Sequence, residues 1–227
     1  MESSPEPQPA GGTEYAAYLL IDDLLELQRP ITEGAHDELL FIIVHQAYEL
    51  WFKLMLHELA QVDAELRAGR PGGALTGLKR AVAIDRLLLS QLDVLETMGP
   101  EGFLEFRSPL APASGFQSRQ FREIERATAG LWPAFCAGAG MGEEDLDALA
   151  DLYRDHSEPV RALRHQVCEL LVDHDETIQR WRFHHTLMAA REIGSRPGTG
   201  GSRGVEYLRG TVDRRFFPQL WEVRVRL

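Results

Sequence analysis

A chain of 227 residues with 44% hydrophobic side chains can bury one substantial core and leaves room for only a small appendage. Its 24 Lys and Arg against 35 Asp and Glu give a net charge of −11, which argues against nucleic acid or an anionic membrane as the main partner. Its two cysteines, Cys136 and Cys168, form neither a disulfide framework nor a zinc pattern. The first residues, "MESSPEPQPAGGTEY", are polar and rich in Pro and Gly, with no basic-then-apolar signal segment. Residues 1–10 are therefore expected to be a flexible tail, residues 11–227 a single domain, and the protein cytoplasmic. No run approaches the ~18 to 20 uninterrupted apolar residues of a membrane span.

In chain order, "YAAYLLIDDLL" predicts a short amphipathic segment, which taken alone is an N-terminal helix packing on its own core. Residues 37–66 predict one long helix, ended by "RPGG" at residues 70–73. Residues 74–98 place Leu75, Leu78, Val82, Leu88, Leu92 and Leu95 at three- and four-residue spacing, and "GPEG" is expected to stop that helix. "RSPLAPASG", residues 107–115, has two prolines and predicts a loop. Helices over 116–135, 143–154 and 157–193 follow, then a glycine-rich loop and two short amphipathic pieces. No alternating strand pattern and no internal repeat are found, so the predicted fold class is an all-α bundle.

Two places carry chemistry. In "DELLFIIVHQAYELWFK" the helix is apolar from Leu39 to Val44, which predicts a buried helix with His45 inside and Phe41 one turn earlier on the same face. Taken alone, His45 reads first as a core histidine bonded to a backbone carbonyl. In "WRFHHTLMAAREIGSRPGTGGSRG" two adjacent histidines, His184 and His185, precede a stretch with five glycines in eleven residues. Alone, that pair could simply complement a helix dipole, and the loop could be a plain connection. The loop lacks the lysine and serine spacing of a phosphate loop. Together, two histidines on different helices beside a permissive loop suit a planar iron porphyrin, one imidazole on the iron and the other on a small substrate. With no Cys-x-x-Cys-His motif, such a haem would be held non-covalently.

The segments "GGTEYAAYLLIDDLL", "HDELLFIIVHQAYELWFK", "PASGFQSRQFREIE", "WRFHHTLMAAREIGSRPGTGGSRGVEYLR" and "FFPQLWEVRVRL" resemble, in order, the tryptophan 2,3-dioxygenase family. The resemblance runs from about residue 11 to the C-terminus. It implies haem b, with ferrous iron as the active form and dioxygen as co-substrate, and opening of the indole ring of L-tryptophan to N-formyl-L-kynurenine. Within the motif opened by Trp181 it puts the axial iron ligand on His185 and leaves His184 at a variable position. It gives His45 the indole N–H, Phe41 the indole ring, Arg107 the substrate carboxylate and Thr199 the ammonium and carboxylate, and puts Phe103 at a substrate-binding position filled by Tyr or Phe. Ser114 and Gly115 would lie at the haem and substrate edge. Tyr15, Tyr18 and Leu19 match a segment that reaches into a neighbouring subunit, implying a homotetramer built as a dimer of dimers.

Two departures from the family pattern stand out. The region over about residues 126–156 is shorter than in typical members, which trims the periphery. Arg203 stands where the family usually has serine, which could alter loop closure or admit a substituted tryptophan. Two alternatives follow: a related haem monooxygenase making an oxindole-type product, and a haem-binding sensor without turnover. The sensor has no use for an amino-acid clamp at Arg107 and Thr199.

Overall fold

A computed structural model describes residues 14–227, so the expected flexible tail at 1–10 lies outside the described residues. The elements are α1 (Tyr15–Leu19), α2 (Ile21–Leu25), α3 (Glu38–Arg67), α4 (Pro71–Leu95), α5 (Pro100–Leu110), α6 (Arg119–Ala139), α7 (Leu146–Arg154), α8 (Pro159–Ile193), α9 (Val205–Arg209) and α10 (Pro218–Glu222). Short 3-10 turns occupy Gly115–Gln117 and Val223–Arg226, and no strand occurs among the described residues. The all-α expectation is met.

Four long helices make the body. α3 packs on α4 and α6, and α8 lies along α4. Their shared core is closed by Val62, Leu78, Leu131, Val167 and Leu171, all fully buried. At about 1.5 Å per residue α8 is some 52 Å long, so its last turns carry His185 well away from the α6–α7 corner.

One polar cluster sits inside that apolar body. His174 of α8 meets Asp85 of α4 at 2.5 Å and Thr128 of α6 at 3.1 Å, with all three side chains buried. Burial opposes charge on this imidazole, but the Asp85 carboxylate outweighs it and raises the pKa. The next residue, Asp175, turns to the C-terminal segment. It accepts from the Phe216 and Phe217 amides and from the Trp221 indole. Arg182 adds bonds to the Arg214 carbonyl and Glu125, and lies over the Phe216 ring. The segment after the glycine loop is thereby strapped back along α8.

Three expectations change. "GPEG" does not only end a helix: Pro100 takes the first position of α5, where its missing N–H costs nothing. Arg107 therefore stands on a helix rather than in a loop, one turn beyond Phe103. α6 starts later than expected, at Arg119 capped by Ser118, and runs through Pro133 to Ala139. Finally, α3 is not sheathed all round. Leu39, Ile43 and Leu50 are 45%, 49% and 56% exposed, so its outer face is bare in a single chain although its length and apolar content would suffice to cross a bilayer.

Candidate functional site

The late turns of α8 supply the first half of the site. His185 stacks nearly parallel on Trp181, one turn before it, with ring centres 5.0 Å apart and planes 14° off parallel. Among the described residues no hydrogen bond reaches either ring nitrogen of His185. Burial, and then the charge of His45, lower its pKa to about 4. It is therefore neutral at physiological pH with a lone pair free, the state in which imidazole binds a metal. His45 of α3 is thus within electrostatic reach of His185 of α8. His184 is turned away, 3.2 Å from Glu96.

His45 supplies the second part. Its Nδ1 lies 2.7 Å from the Phe41 carbonyl, which can only accept, so Nδ1 carries the proton and Nε2 is left as an acceptor. The ring is reached by solvent, which corrects the expectation that His45 is enclosed in the core. Desolvation is nevertheless the largest influence on its pKa and lowers it, against the Phe41 carbonyl and the Glu49 charge. Phe41 stacks on it at 4.0 Å, and behind Phe41 stand Phe103 at 5.9 Å and Phe106 at 5.4 Å. Phe106 is fully buried and anchors α5, whereas Phe41 and Phe103 are half-buried and keep open faces. The result is an aromatic wall beside a hydrogen-bond acceptor.

The glycine loop closes the third side by latching onto residues 107–115. Arg107 donates to the Pro197 carbonyl, and the Thr199 hydroxyl donates to the Ala113 carbonyl at 2.6 Å. A Cβ on Gly200 would fall 2.6 Å from the Ser114 Cβ, and one on Gly204, at φ +59°, would fall 2.6 Å from the Arg196 carbonyl oxygen. Only glycine allows the two backbones to approach this closely. Ser114 is thus packed under the loop, while Gly115 is exposed and opens the 3-10 turn. Arg107 links the latch to the aromatic wall because Phe103 precedes it by one turn of α5.

Comparisons with known proteins give the family. A family model described as "Tryptophan 2,3-dioxygenase" matches residues 2–130 and 147–227. The chain belongs to the tryptophan 2,3-dioxygenase family. Among its relatives, a "Tryptophan 2,3-dioxygenase" of an Anaeromyxobacter species is 43% identical over 251 aligned positions, which take in 92% of this chain and 94% of the relative. One from a Nocardioides species is 40% identical, with 94% of each chain covered. One from Herpetosiphon aurantiacus is 38% identical, covering 94% of this chain and 98% of its own. The break in the family match at 131–146 falls in the end of α6 and the corner before α7.

For this family member, the residues anticipated from sequence separate into three groups. Phe41, His45 and Phe103 form one aromatic cluster, Trp181 and His185 stack on each other, and Arg107, Ser114, Gly115 and Thr199 lie along the latch. Tyr15, Tyr18 and Leu19 do not join them: they are 75%, 73% and 42% exposed on α1, and no residue of α1 or α2 is buried. Arg203 is exposed and pairs with Glu206 at 3.0 Å, in the first turn of α9. Sequence reasoning missed Arg182, whose signal was its place beside Trp181 on the turn before the histidines, and Tyr48, one turn beyond His45.

Proposed function

We propose that this chain is a haem-dependent dioxygenase that cleaves the indole C2–C3 bond of L-tryptophan. The observation that carries the proposal is a pair of histidines on two helices: a neutral His185 with unengaged nitrogens, and a His45 whose Nε2 is left as an acceptor. The donor set fits haem b, because a neutral His185 imidazole could hold the iron and His45 could offer an acceptor to a small substrate beside it. When bound, the haem supplies ferrous iron for the activation of dioxygen. In the overall reaction the C2–C3 bond breaks, each of the two carbons gains one oxygen atom, and N-formyl-L-kynurenine retains both.

The protein's own contribution is placement. His45 Nε2 accepts the indole N–H and so turns the C2–C3 edge toward the iron, and Phe41 and Phe103 cover the ring. Arg107 releases the Pro197 carbonyl to take the substrate carboxylate through two parallel N–H bonds, a match of planar guanidinium to planar carboxylate. Thr199 exchanges the Ala113 carbonyl for the substrate ammonium and carboxylate. Because these exchanges occur at the latch itself, substrate binding and loop closure are one event, and a closed loop keeps water from the reacting oxygen. Reduced, haem-loaded protein given L-tryptophan and oxygen should form N-formyl-L-kynurenine. Absence of any tryptophan-dependent spectral change in the ferrous protein would instead favour the sensor.

His45 orients rather than serving as an essential base. His45→Ala is therefore expected to keep haem and residual turnover, with KM for tryptophan raised roughly 3- to 10-fold, the worth of one neutral hydrogen bond. Loss of haem in that variant would show that the two histidines have been assigned the wrong way round.

The bare faces of α1, α2 and α3 support assembly into a homotetramer, a dimer of dimers in which Tyr15, Tyr18 and Leu19 of one subunit cover the cleft of another. Burying one such aromatic ring is worth roughly 1.5 to 3 kcal/mol. Deleting residues 1–19 should then weaken tryptophan binding more than haem retention and lower the mass in solution. A truncated tetramer with unchanged affinity would confine the segment to its own subunit.

A further inference from the structure

Metal-bound histidines are usually oriented by a hydrogen bond to the ring nitrogen that does not bind the metal. His185 has no such bond among the described residues, and its fixed contact is the Trp181 stack. What holds Trp181 therefore holds His185. The indole N–H donates to the Tyr48 oxygen at 3.1 Å, and the Tyr48 hydroxyl donates to the Leu88 carbonyl on α4 at 2.5 Å. The directions are forced, because an indole N–H can only donate and a carbonyl can only accept. Burial pushes the Tyr48 pKa up to about 12, against the pull of the Trp181 bond, so the hydroxyl keeps the proton this chain requires.

Packing alone does not fix the indole. Phe121 touches Trp181 at 5.5 Å, but the same indole borders a cavity of about 30 Å³ lined also by Phe52, Ile124, Thr177 and Phe216. Side chains beside a void lack partner atoms on that side and can shift into it. The Tyr48 bond is the directional contact that keeps Trp181 against His185. Tyr48 is also three residues beyond His45, so α3 carries the substrate-side histidine and the support of the iron-side histidine together.

We propose that Tyr48 is a positioning residue for the axial imidazole, locking through Trp181 the ring plane that His185 presents to iron. This rests on the reading of His185 as the haem ligand. It assigns to Tyr48 a role in haem binding exercised through Trp181.

The test is resonance Raman spectroscopy of the ferrous, substrate-free holoprotein, with haem transfer to an excess of apomyoglobin as a second readout. Tyr48→Phe keeps the ring and removes the hydroxyl; Trp181→Phe keeps a stacking ring and removes the N–H. Each should shift and broaden the iron–histidine stretching band and speed haem loss about 10-fold, the lower end of what outer-shell changes cost. The double variant should be no worse than either single one, because both break the same link. Should Tyr48→Phe fail to fold, Trp181→Phe carries the comparison alone. A lowered melting temperature with an unshifted band and wild-type haem loss would make Tyr48 a purely structural residue and overturn the inference. A wild-type holoprotein with no iron–histidine band would instead overturn the ligand assignment, and this inference with it.

Discussion

His185→Ala is expected to leave the protein folded and without haem, while His184→Ala retains it. The two side chains are adjacent in sequence, and their surroundings differ in kind. His185 lies among protein groups, neutral and stacked on Trp181. His184 is partly exposed and sits 3.2 Å from Glu96, a surface ion pair worth about 0 to 1 kcal/mol. Removing the iron's protein ligand should cost more than the roughly 10- to 100-fold in affinity lost with outer-shell changes. Haem content after purification and a melting curve of each variant separate ligand loss from unfolding. A haem-free His184→Ala beside a haem-replete His185→Ala would reverse the assignment of the pair.

The second large effect belongs to Arg107. Truncating one partner of a hydrogen-bonded charge pair typically costs 2 to 5 kcal/mol, so Arg107→Ala should lower kcat/KM for L-tryptophan by roughly 30- to several-thousand-fold. Haem content should be unchanged, because nothing in the α3–α8 pair depends on the guanidinium. Arg107→Lys should recover only part of the loss, since an ammonium is a point charge and cannot make two parallel bonds to a carboxylate. Part of the loss is expected to come from the loop, as the Arg107 bond to the Pro197 carbonyl disappears with the side chain. Steady-state kinetics with L-tryptophan check this. An Arg107→Ala enzyme of unchanged kcat/KM would remove the carboxylate from this site.

The long helices were legible because their apolar spacing is strong and uninterrupted: α3 and α8 lie within two residues of their expected bounds. α5 was not, because Gly99, Pro100, Gly102 and Pro109 read as breakers. In the structure Pro100 occupies a first-turn position that tolerates it, and Pro109 comes only in the last turn. The consequence is functional, since only a helix puts Arg107 and Phe103 on one face. The exposure of His45 was misjudged for a related reason. The apolar run from Leu39 to Val44 signals burial, but it does not say whether a helix is covered by its own chain or by another. The latch was invisible for a third reason: the Thr199–Ala113 bond and the Gly200–Ser114 contact join segments some 86 residues apart, and neither leaves a periodic trace. The family resemblance supplied the roles of Thr199 and Arg107, and the structure added the backbone carbonyls that hold them.

The measurement that tests the central claim most directly is turnover under isotopic dioxygen. Haem-loaded ferrous protein is mixed anaerobically with L-tryptophan, exposed to ¹⁸O₂, and its product weighed by mass spectrometry. The account predicts N-formyl-L-kynurenine carrying two ¹⁸O atoms. A product carrying one ¹⁸O atom on an intact indole-derived ring would contradict it and make the chain a monooxygenase.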